Sequence, residues 1–213
     1  MRFYREKNYG QRHRASGFSL LELLVVVLVV MVVAAIAIPN ILLAVSNIRL
    51  RASAGDLAGL IQEARILAAK NNTPYVVLYG TNNGAQIAYI RDPRNGLGNF
   101  VIGEPMMQFS GSTVPATGAP TGSGGQPSVY VLAGDSGTGS YDNTNTLGYT
   151  GRGLPCNYDT TTIPATCNTP AAKYFAYYMS GTRVGSGGAG WAAVIVTKGG
   201  RTKIVTWNGN AWN

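Results

Sequence analysis

A long apolar run near the N-terminus dominates this sequence. From Phe18 to Ile38 there are 21 residues, with one carboxylate, Glu22, and one hydroxyl, Ser19. About 20 apolar residues in a helix cross the hydrocarbon core of a bilayer, so the run predicts a membrane-spanning helix. A cleavable secretory signal has a shorter apolar core that precedes its small-residue site, whereas here the small residues come first.

The distribution of charge predicts the orientation of this helix. Residues 1–17 hold five basic side chains against one acidic side chain, and the remaining 196 residues hold 12 against 8. An excess of Lys and Arg directly before a membrane-spanning helix is typical of its cytoplasmic end. We therefore expect the N-terminus to be cytoplasmic and the C-terminus to be exported.

A second helical pattern follows Pro39, where the missing N–H is expected to kink or interrupt the helix. One apolar stripe has the i, i+3, i+4, i+7 spacing of a helix: Leu57, Leu60, Ile61, Ala64, Leu67 and Ala68. Gln62, Glu63 and Lys70 are predicted to face away from it. The sequence "NNTP" from Asn71 ends the pattern. Arg65 is expected to bond carbonyls of the following domain or to pair with an acid, the alternative being a solvated arginine.

Beyond Pro74 the pattern is typical of β-structure. Short runs rich in Val, Ile and aromatic residues predict strands near residues 75–80, 85–92, 100–109, 128–134, 173–179, 191–198 and 201–208. "TNNG" and "KGG" predict hairpin turns. The low-complexity stretch from Ser110 to Pro127 predicts a flexible loop. The predicted class is therefore α+β, with a long N-terminal helix packed on an antiparallel sheet domain of residues 73–213.

The chain has two cysteines, Cys156 and Cys167, in a stretch rich in Pro and Thr. A disulfide between them would close a short loop in an exported domain, which is our expectation. Two free thiols are the alternative. A zinc site is disfavoured because no further Cys and no His outside residues 1–17 is present to complete the ligand set.

The stretch "GFSLLELLVVV" resembles the class III signal of type IV pilins and type II secretion pseudopilins. The resemblance implies a leader peptide of residues 1–17, cleavage between Gly17 and Phe18 by a prepilin peptidase, and N-methylation of Phe18. Glu22 would then be the fifth mature residue and Pro39 the twenty-second, as in pilins. It further implies the pilin fold, with a helix over residues 18–72 whose first part, about 18–40, spans the inner membrane.

Three further segments are similar to GspH/FimT-type minor pilins and pseudopilins. They are "DLAGLIQEARILAAKNNTPYVVLY", and "LGYTGRGLP" together with the terminal "WAAVIVTKGGRTKIVTWNGNAW". The resemblance implies a structural subunit of a type IV pilus or a type II secretion pseudopilus. Its partners would be other pilins, the prepilin peptidase and the inner-membrane assembly platform. A pseudopilin that contacts secreted substrates remains an alternative.

Glu22 is an acid in a segment where an unpaired charge is costly. The resemblance implies that it meets the free amine of Phe18 on a neighbouring subunit and so selects the axial register of assembly. The alternative is that Glu22 stays protonated or extends towards the membrane interface.

Enzymatic chemistry is not supported by the sequence. "GDSG" at 134–137 is similar to a protease nucleophile loop, but the one histidine, His13, lies in the predicted leader, so a Ser-His-Asp triad cannot form. No phosphate-binding glycine motif appears. Asp135, Asp142 and Asn143 are candidate calcium ligands without the spacing of an EF-hand loop. We expect no cofactor and no metal.

A basic turn near the C-terminus suggests a second function. Lys198, Arg201 and Lys203 surround "TKGGRTK", and Arg201 and Lys203 are two apart on a strand, so they point to one face. Such a patch suits phosphates. In the FimT branch a Gly-Arg-x-Arg segment at this place is associated with DNA binding, and here the last residue is Lys203, which keeps the charge without the bidentate fork. The alternative is an ordinary solvated turn.

Overall fold

The structure is a computed structural model that describes residues 18–92, 94, 96, 99–111, 113–116, 140–142, 147–159, 166–168, 174–181, 190–207 and 212. The predicted leader, including Gly17, lies outside the described residues. So do the predicted strand at 128–134, residues 117–127 of the predicted loop, and the candidate calcium ligands Asp135 and Asn143. The chain forms two compact units, residues 1–40 and residues 41–213.

One helix, α1, extends from Leu20 to Asn71. Within the second unit it buries the predicted apolar stripe, because Leu57, Leu60, Ile61, Ala64 and Ala68 are all inaccessible and Leu67 packs beside them. Burial of one such Leu or Ile stabilises the fold by about 1.5–3 kcal/mol. The amphipathic prediction is confirmed.

Eleven strands follow among the described residues, in two sheets. They are β1 (Tyr75–Asn82), β2 (Ala85–Arg91), β3 (Met106–Gln108), β4 (Thr113–Ala116), β5 (Ser140–Asp142), β6 (Leu147–Tyr149), β7 (Pro155–Asp159), β8 (Thr166–Asn168), β9 (Tyr174–Gly181), β10 (Gly190–Val196) and β11 (Thr202–Trp207). The first sheet has the order β3-β2-β1-β6-β7-β8 and the second the order β11-β10-β9-β4. The α+β prediction is confirmed.

Both predicted hairpin turns are present. β1 pairs with β2 from Val76↔Arg91 to Asn82↔Ala85, and the residues between them, Asn83 and Gly84, have positive φ of 49° and 80°. Two consecutive positive φ values match the right-handed twist of the flanking strands. β10 pairs with β11 from Trp191↔Trp207 to Val196↔Thr202, with Gly200 at φ 80° in the turn.

The strand predictions differ from the structure in several places, and β6, β7 and β8 were not predicted. Residues 100–105 are not a strand, because Glu104 and its neighbours form a turn bonded to Arg91. Thr113–Ala116 were predicted to be loop but form β4, which pairs with Gly181–Tyr178 of β9. β5 pairs with β9 in parallel, whereas every other strand pair among the described residues is antiparallel. Low-complexity composition does not prevent a segment from completing a sheet edge.

The main core lies between the helix and the inner faces of the two sheets. Its members from the sheets include Val77 and Ile90 of the first sheet, and Phe175, Tyr177 and Val194 of the second. The outer faces carry separate clusters, one around Tyr89 and Tyr158 and the other around Tyr178 and Trp212. The β1, β2 and β10 runs are therefore apolar on both faces, as expected for strands that are covered on both sides.

The connection between β2 and β3 is organised by Arg91, of which 2% is exposed. Its Nε and Nη2 bond both carboxylate oxygens of Glu104, at 2.7 and 3.0 Å, and its Nη1 donates to the Gly96 carbonyl at 3.1 Å. Nη2 also donates to the Asn99 carbonyl. The hydrogen bond from Arg91 helps to lower the pKa of Glu104, since burial alone would raise it and the net shift is downward.

The predicted disulfide is present. Cys156 of β7 and Cys167 of β8 are bonded, with their Cα atoms 5.3 Å apart. The bond ties the last two strands of the first sheet together, and Cys167 packs against the outer cluster that contains Tyr158.

Candidate assembly helix and basic hairpin

The start of α1 is capped by its own sequence. Ser19 precedes the first helical residue, and its Oγ accepts the N–H of Glu22 at 3.1 Å. The pattern Ser-Leu-Leu-Glu is a capping box, in which a hydroxyl satisfies one of the free N–H groups at a helix start. Glu22 also places a negative charge in the first turn, where the helix dipole favours it.

The first turns of α1 present their side chains outwards. Phe18 is 80% exposed, and the apolar residues from Leu20 to Val33 lie uncovered within this chain. Glu22 is exposed as well, and no ion pair joins it to another residue in the described part of the chain. The helix is long and apolar enough to cross a membrane. Its carboxylate is therefore available to a cation supplied from outside this chain.

Pro39 lies inside α1, so of the two expectations, a kink or an interruption, the interruption does not occur. Proline removes one backbone bond, to the carbonyl of Ala35 four residues earlier. One residue further on, the side-chain amide of Asn40 donates to the Ile36 carbonyl at 3.1 Å. In an apolar environment the flanking helical bonds persist because unbonded backbone groups are more costly than one missing bond.

Arg65 joins the helix to two distant turns. Its Nε donates to the Gly153 carbonyl at 3.0 Å and its Nη1 to the Gly200 carbonyl at 3.2 Å. The expectation that Arg65 bonds carbonyls of the β domain is confirmed. Gln62, which was predicted to face away, instead donates to Thr202 Oγ1 at 3.0 Å. Gln62 lies one turn from Arg65, so it meets the same hairpin.

The basic residues of the C-terminal hairpin lie in its turn and at the start of β11. In β11, Lys203 pairs with Ile195 and Val205 pairs with Ala193, so Lys203 lies on the outer face with Val205. Arg201 is exposed, immediately before the strand. Within the described residues neither Arg201 nor Lys203 forms an ion pair. The two cations are therefore two residues apart at the start of β11, and Lys203 is only partly exposed.

A family model matches the N-terminal part of the chain. The model of the prokaryotic N-terminal methylation motif matches residues 12–38. The motif indicates a type IV pilin-like protein. No curated protein and no solved structure matches the chain significantly.

The motif covers the processing junction and the apolar half of α1, and it supports processing by prepilin peptidase, membrane anchoring and assembly with other pilins. The matched region ends at Ile38, directly before Pro39. The β-rich unit lies outside the matched region.

Several contacts in the β-rich unit were not predicted from the sequence. Ser53, buried in α1, is 3.0 Å from the hydroxyl of Ser110 and accepts the Ser110 N–H at 3.2 Å. The sequence signal for this contact is the position of Ser53 on the apolar face of α1. A hydroxyl buried there requires a hydrogen-bond partner. No group of three potential metal ligands occurs among the described residues.

Proposed function

We propose that this type IV pilin-like protein is a GspH/FimT-like minor pilin or pseudopilin. It is a non-enzymatic subunit that is cleaved between Gly17 and Phe18 and methylated at Phe18. It is held in the inner membrane by one helix, with its C-terminus in the periplasm, until it enters a type IV pilus or a type II secretion pseudopilus. The observation that carries this proposal is that the methylation motif covers the first part of α1, where the apolar residues from Leu20 to Val33 are exposed.

Assembly depends on the uncovered half of α1. Exposed apolar side chains are stable in a bilayer or against the helices of other subunits. Glu22 is the exception, because an isolated carboxylate in an apolar helix bundle requires a cation. The cleaved α-amine of Phe18 on a neighbouring subunit supplies one, and the pair forms at one axial register only. The charge of Glu22 then determines the axial register of neighbouring subunits in the filament.

Processing is tested by mass spectrometry of the full chain produced with and without a prepilin peptidase. We expect the peptidase to yield a chain that begins at N-methylated Phe18. Gly17→Val should remain uncleaved, and the matched variant Gly10→Val, in the same leader, should be cleaved normally. Cleavage at any other bond would refute the assigned junction.

Register selection by Glu22 is tested by filament incorporation. Glu22→Ala should be processed and inserted into the membrane but should enter filaments far less than wild type. Val29→Ala on the same helix serves as the control for loss of side-chain volume. If Glu22→Ala entered filaments as well as wild type, the register mechanism would be wrong, while the family assignment would stand.

A second candidate function is DNA binding by a minor pilin of a competence pilus. The observation that favours it is the position of Arg201 and Lys203, two residues apart at the start of β11, without an ion pair to any described residue. Cations held at a fixed spacing bind successive phosphates and release counterions.

DNA binding is tested by titrating the full chain, in nonionic detergent, with a fluorescent DNA duplex at two salt concentrations. Binding should weaken as salt rises and should be lost in Arg201→Ala/Lys203→Ala. Arg51→Ala/Lys70→Ala, two exposed cations of α1, removes the same charge elsewhere. Equal loss in both double variants would mean that net charge alone is responsible.

A further inference from the structure

Two turns of the β unit have the same hydrogen-bond pattern. In Thr150–Leu154 and in Thr197–Arg201, the N–H of the threonine donates to the carbonyl of the fifth residue, at 2.9 Å in both. The threonine hydroxyl accepts the N–H of that fifth residue, at 3.2 Å in both. The N–H of the fourth residue, a glycine, donates back to the threonine carbonyl at 2.7 and 2.8 Å. The two turns are equivalent.

Arg65 binds the two turns at equivalent positions. The carbonyls it bonds, those of Gly153 and Gly200, belong to the fourth residue of each turn, and both glycines have positive φ, 72° and 80°. A guanidinium is rigid and planar, so two carbonyls on its Nε and Nη1 are neighbours in space. Turns that are far apart in sequence are thereby placed side by side.

Each turn presents cations. Arg152 is the central residue of the first turn and is exposed, while Lys198 and Arg201 are exposed in the second. Neither Arg152 nor Arg201 forms an ion pair with any residue that the structure describes. The acid on the same helical turn, Glu63, is two residues before Arg65, about 200° around the helix. It therefore points away from the pair of turns.

A polar groove of about 540 Å³ opens beside the first turn. Its lining residues offer a guanidinium, a hydroxyl, an amide and backbone groups: Asn72, Thr150, Gly151, Arg152, Leu154 and Cys167. Gly151 is required there, since a Cβ would lie 2.7 Å from Oδ1 of Asn72 and 2.8 Å from its carbonyl carbon. The groove brings hydrogen-bond donors next to the charge of Arg152.

We infer that the two turns form one binding surface for the phosphate backbone of DNA, with Arg152 as a contact residue and Arg65 as the positioning residue. This inference rests on the proposed DNA-binding function and extends it to a second, distant loop. Arg201 and Arg152 contact phosphates from different turns, and Arg65 sets the distance between them. The surface is specific for a chain of phosphates rather than for a single anion.

The salt dependence of binding tests this surface, because each phosphate contact contributes about 0.9 to the slope of log K against log salt. The full chain in nonionic detergent is titrated with a fluorescent DNA duplex between about 50 and 200 mM KCl. Arg152→Ala and Arg201→Ala should each lower the slope by about 0.9. Arg51→Ala, an exposed arginine of α1, should leave it unchanged. Arg65→Lys keeps the charge but should weaken binding, since it lacks the fork that holds both turns.

The outcomes distinguish the two-turn surface from DNA binding by the C-terminal hairpin alone. If Arg201→Ala lowers the slope while Arg152→Ala behaves like Arg51→Ala, the two-turn surface is refuted and DNA binding by the hairpin stands. If Arg65→Lys bound DNA with wild-type affinity, Arg65 would not be a positioning residue for this surface. If the wild-type chain binds no DNA, both the surface and the DNA-binding function are refuted, and the filament proposal is unaffected.

Discussion

Nη1 of Arg65 lies 3.2 Å from the carbonyl oxygen of Gly200, 135 residues further along the chain. A Cβ on Gly200 would lie 3.1 Å from the same guanidinium, so the close approach and the positive φ both require glycine. The contact fixes the C-terminal hairpin on α1. The position of Arg201 and Lys203 relative to α1 therefore depends on this hydrogen bond.

Removal of Arg65 should destabilise the β unit. Arg65→Ala leaves the Gly153 and Gly200 carbonyls without their donors, and hydrogen bonds to charged groups contribute about 1.5–3 kcal/mol each when buried. Since Arg65 is only partly buried, we expect a loss of about 2 kcal/mol in the free energy of unfolding by urea. Ile66→Ala, at the exposed neighbouring position, should change it by less than about 0.5 kcal/mol. Similar effects of the two variants would show that Arg65 is simply solvated.

The two glycines of the hairpin turn should differ sharply. Gly200→Ala places a side chain at φ 80° and against Arg65, with an expected cost of roughly 1–2 kcal/mol. Gly199→Ala adds a methyl group to open space at a residue without positive φ, and its unfolding free energy should remain within about 0.5 kcal/mol of wild type. Thermal unfolding of both variants measures the difference. If Gly199→Ala were the more harmful, the description of this turn would be wrong.

The Arg91–Glu104 pair should make stability depend on pH. The pKa of Glu104 is lowered in the folded chain, where burial opposes the shift and the bonds from Arg91 and the Val101 N–H outweigh it. The stabilisation is therefore present above the unfolded pKa of about 4.3 and is lost as pH falls through the folded pKa. The difference in Tm between wild type and Glu104→Gln should be largest near neutral pH and should vanish in acid. The exposed Glu63→Gln should show no such difference, and a gap for Glu104→Gln that persisted in acid would contradict the assignment.

The disulfide should stabilise the end of the first sheet. Cys156→Ser/Cys167→Ser loses a cross-link between residues 11 apart. The expected loss is about 3 kcal/mol in the free energy of unfolding, mainly because the unfolded chain gains freedom. A reducing agent should lower the Tm of wild type to that of the double variant and should not affect the variant itself. An unchanged wild-type Tm under full reduction would mean that the bond adds no stability.

Much of the fold could be predicted from local patterns. The buried stripe from Leu57 to Ala68, the hairpin turns at Asn83-Gly84 and at Gly200, and the cysteine pair depend on spacing and on residues that tolerate positive φ. Such signals are contained in a few neighbouring residues. The methylation motif at residues 12–38 is likewise local.

The predictions that failed were those that depend on partners distant in sequence. Gln62 was assigned to solvent because its helix position is polar, yet Thr202 meets it from 140 residues away. Thr113–Ala116 form a strand because β9 offers an edge to them, which their own composition does not indicate.

The apolar first part of α1 with its one acid, the processing motif and the α+β class could be inferred from the residues alone, since each follows from periodicity or from a short motif. Folding added that Arg65 holds two equivalent turns, one containing Arg152 and the other Arg201, and that Arg91 organises a loop through Glu104. These contacts satisfy carbonyls and charges that only the folded chain brings together. No local pattern specifies which distant group will be the partner.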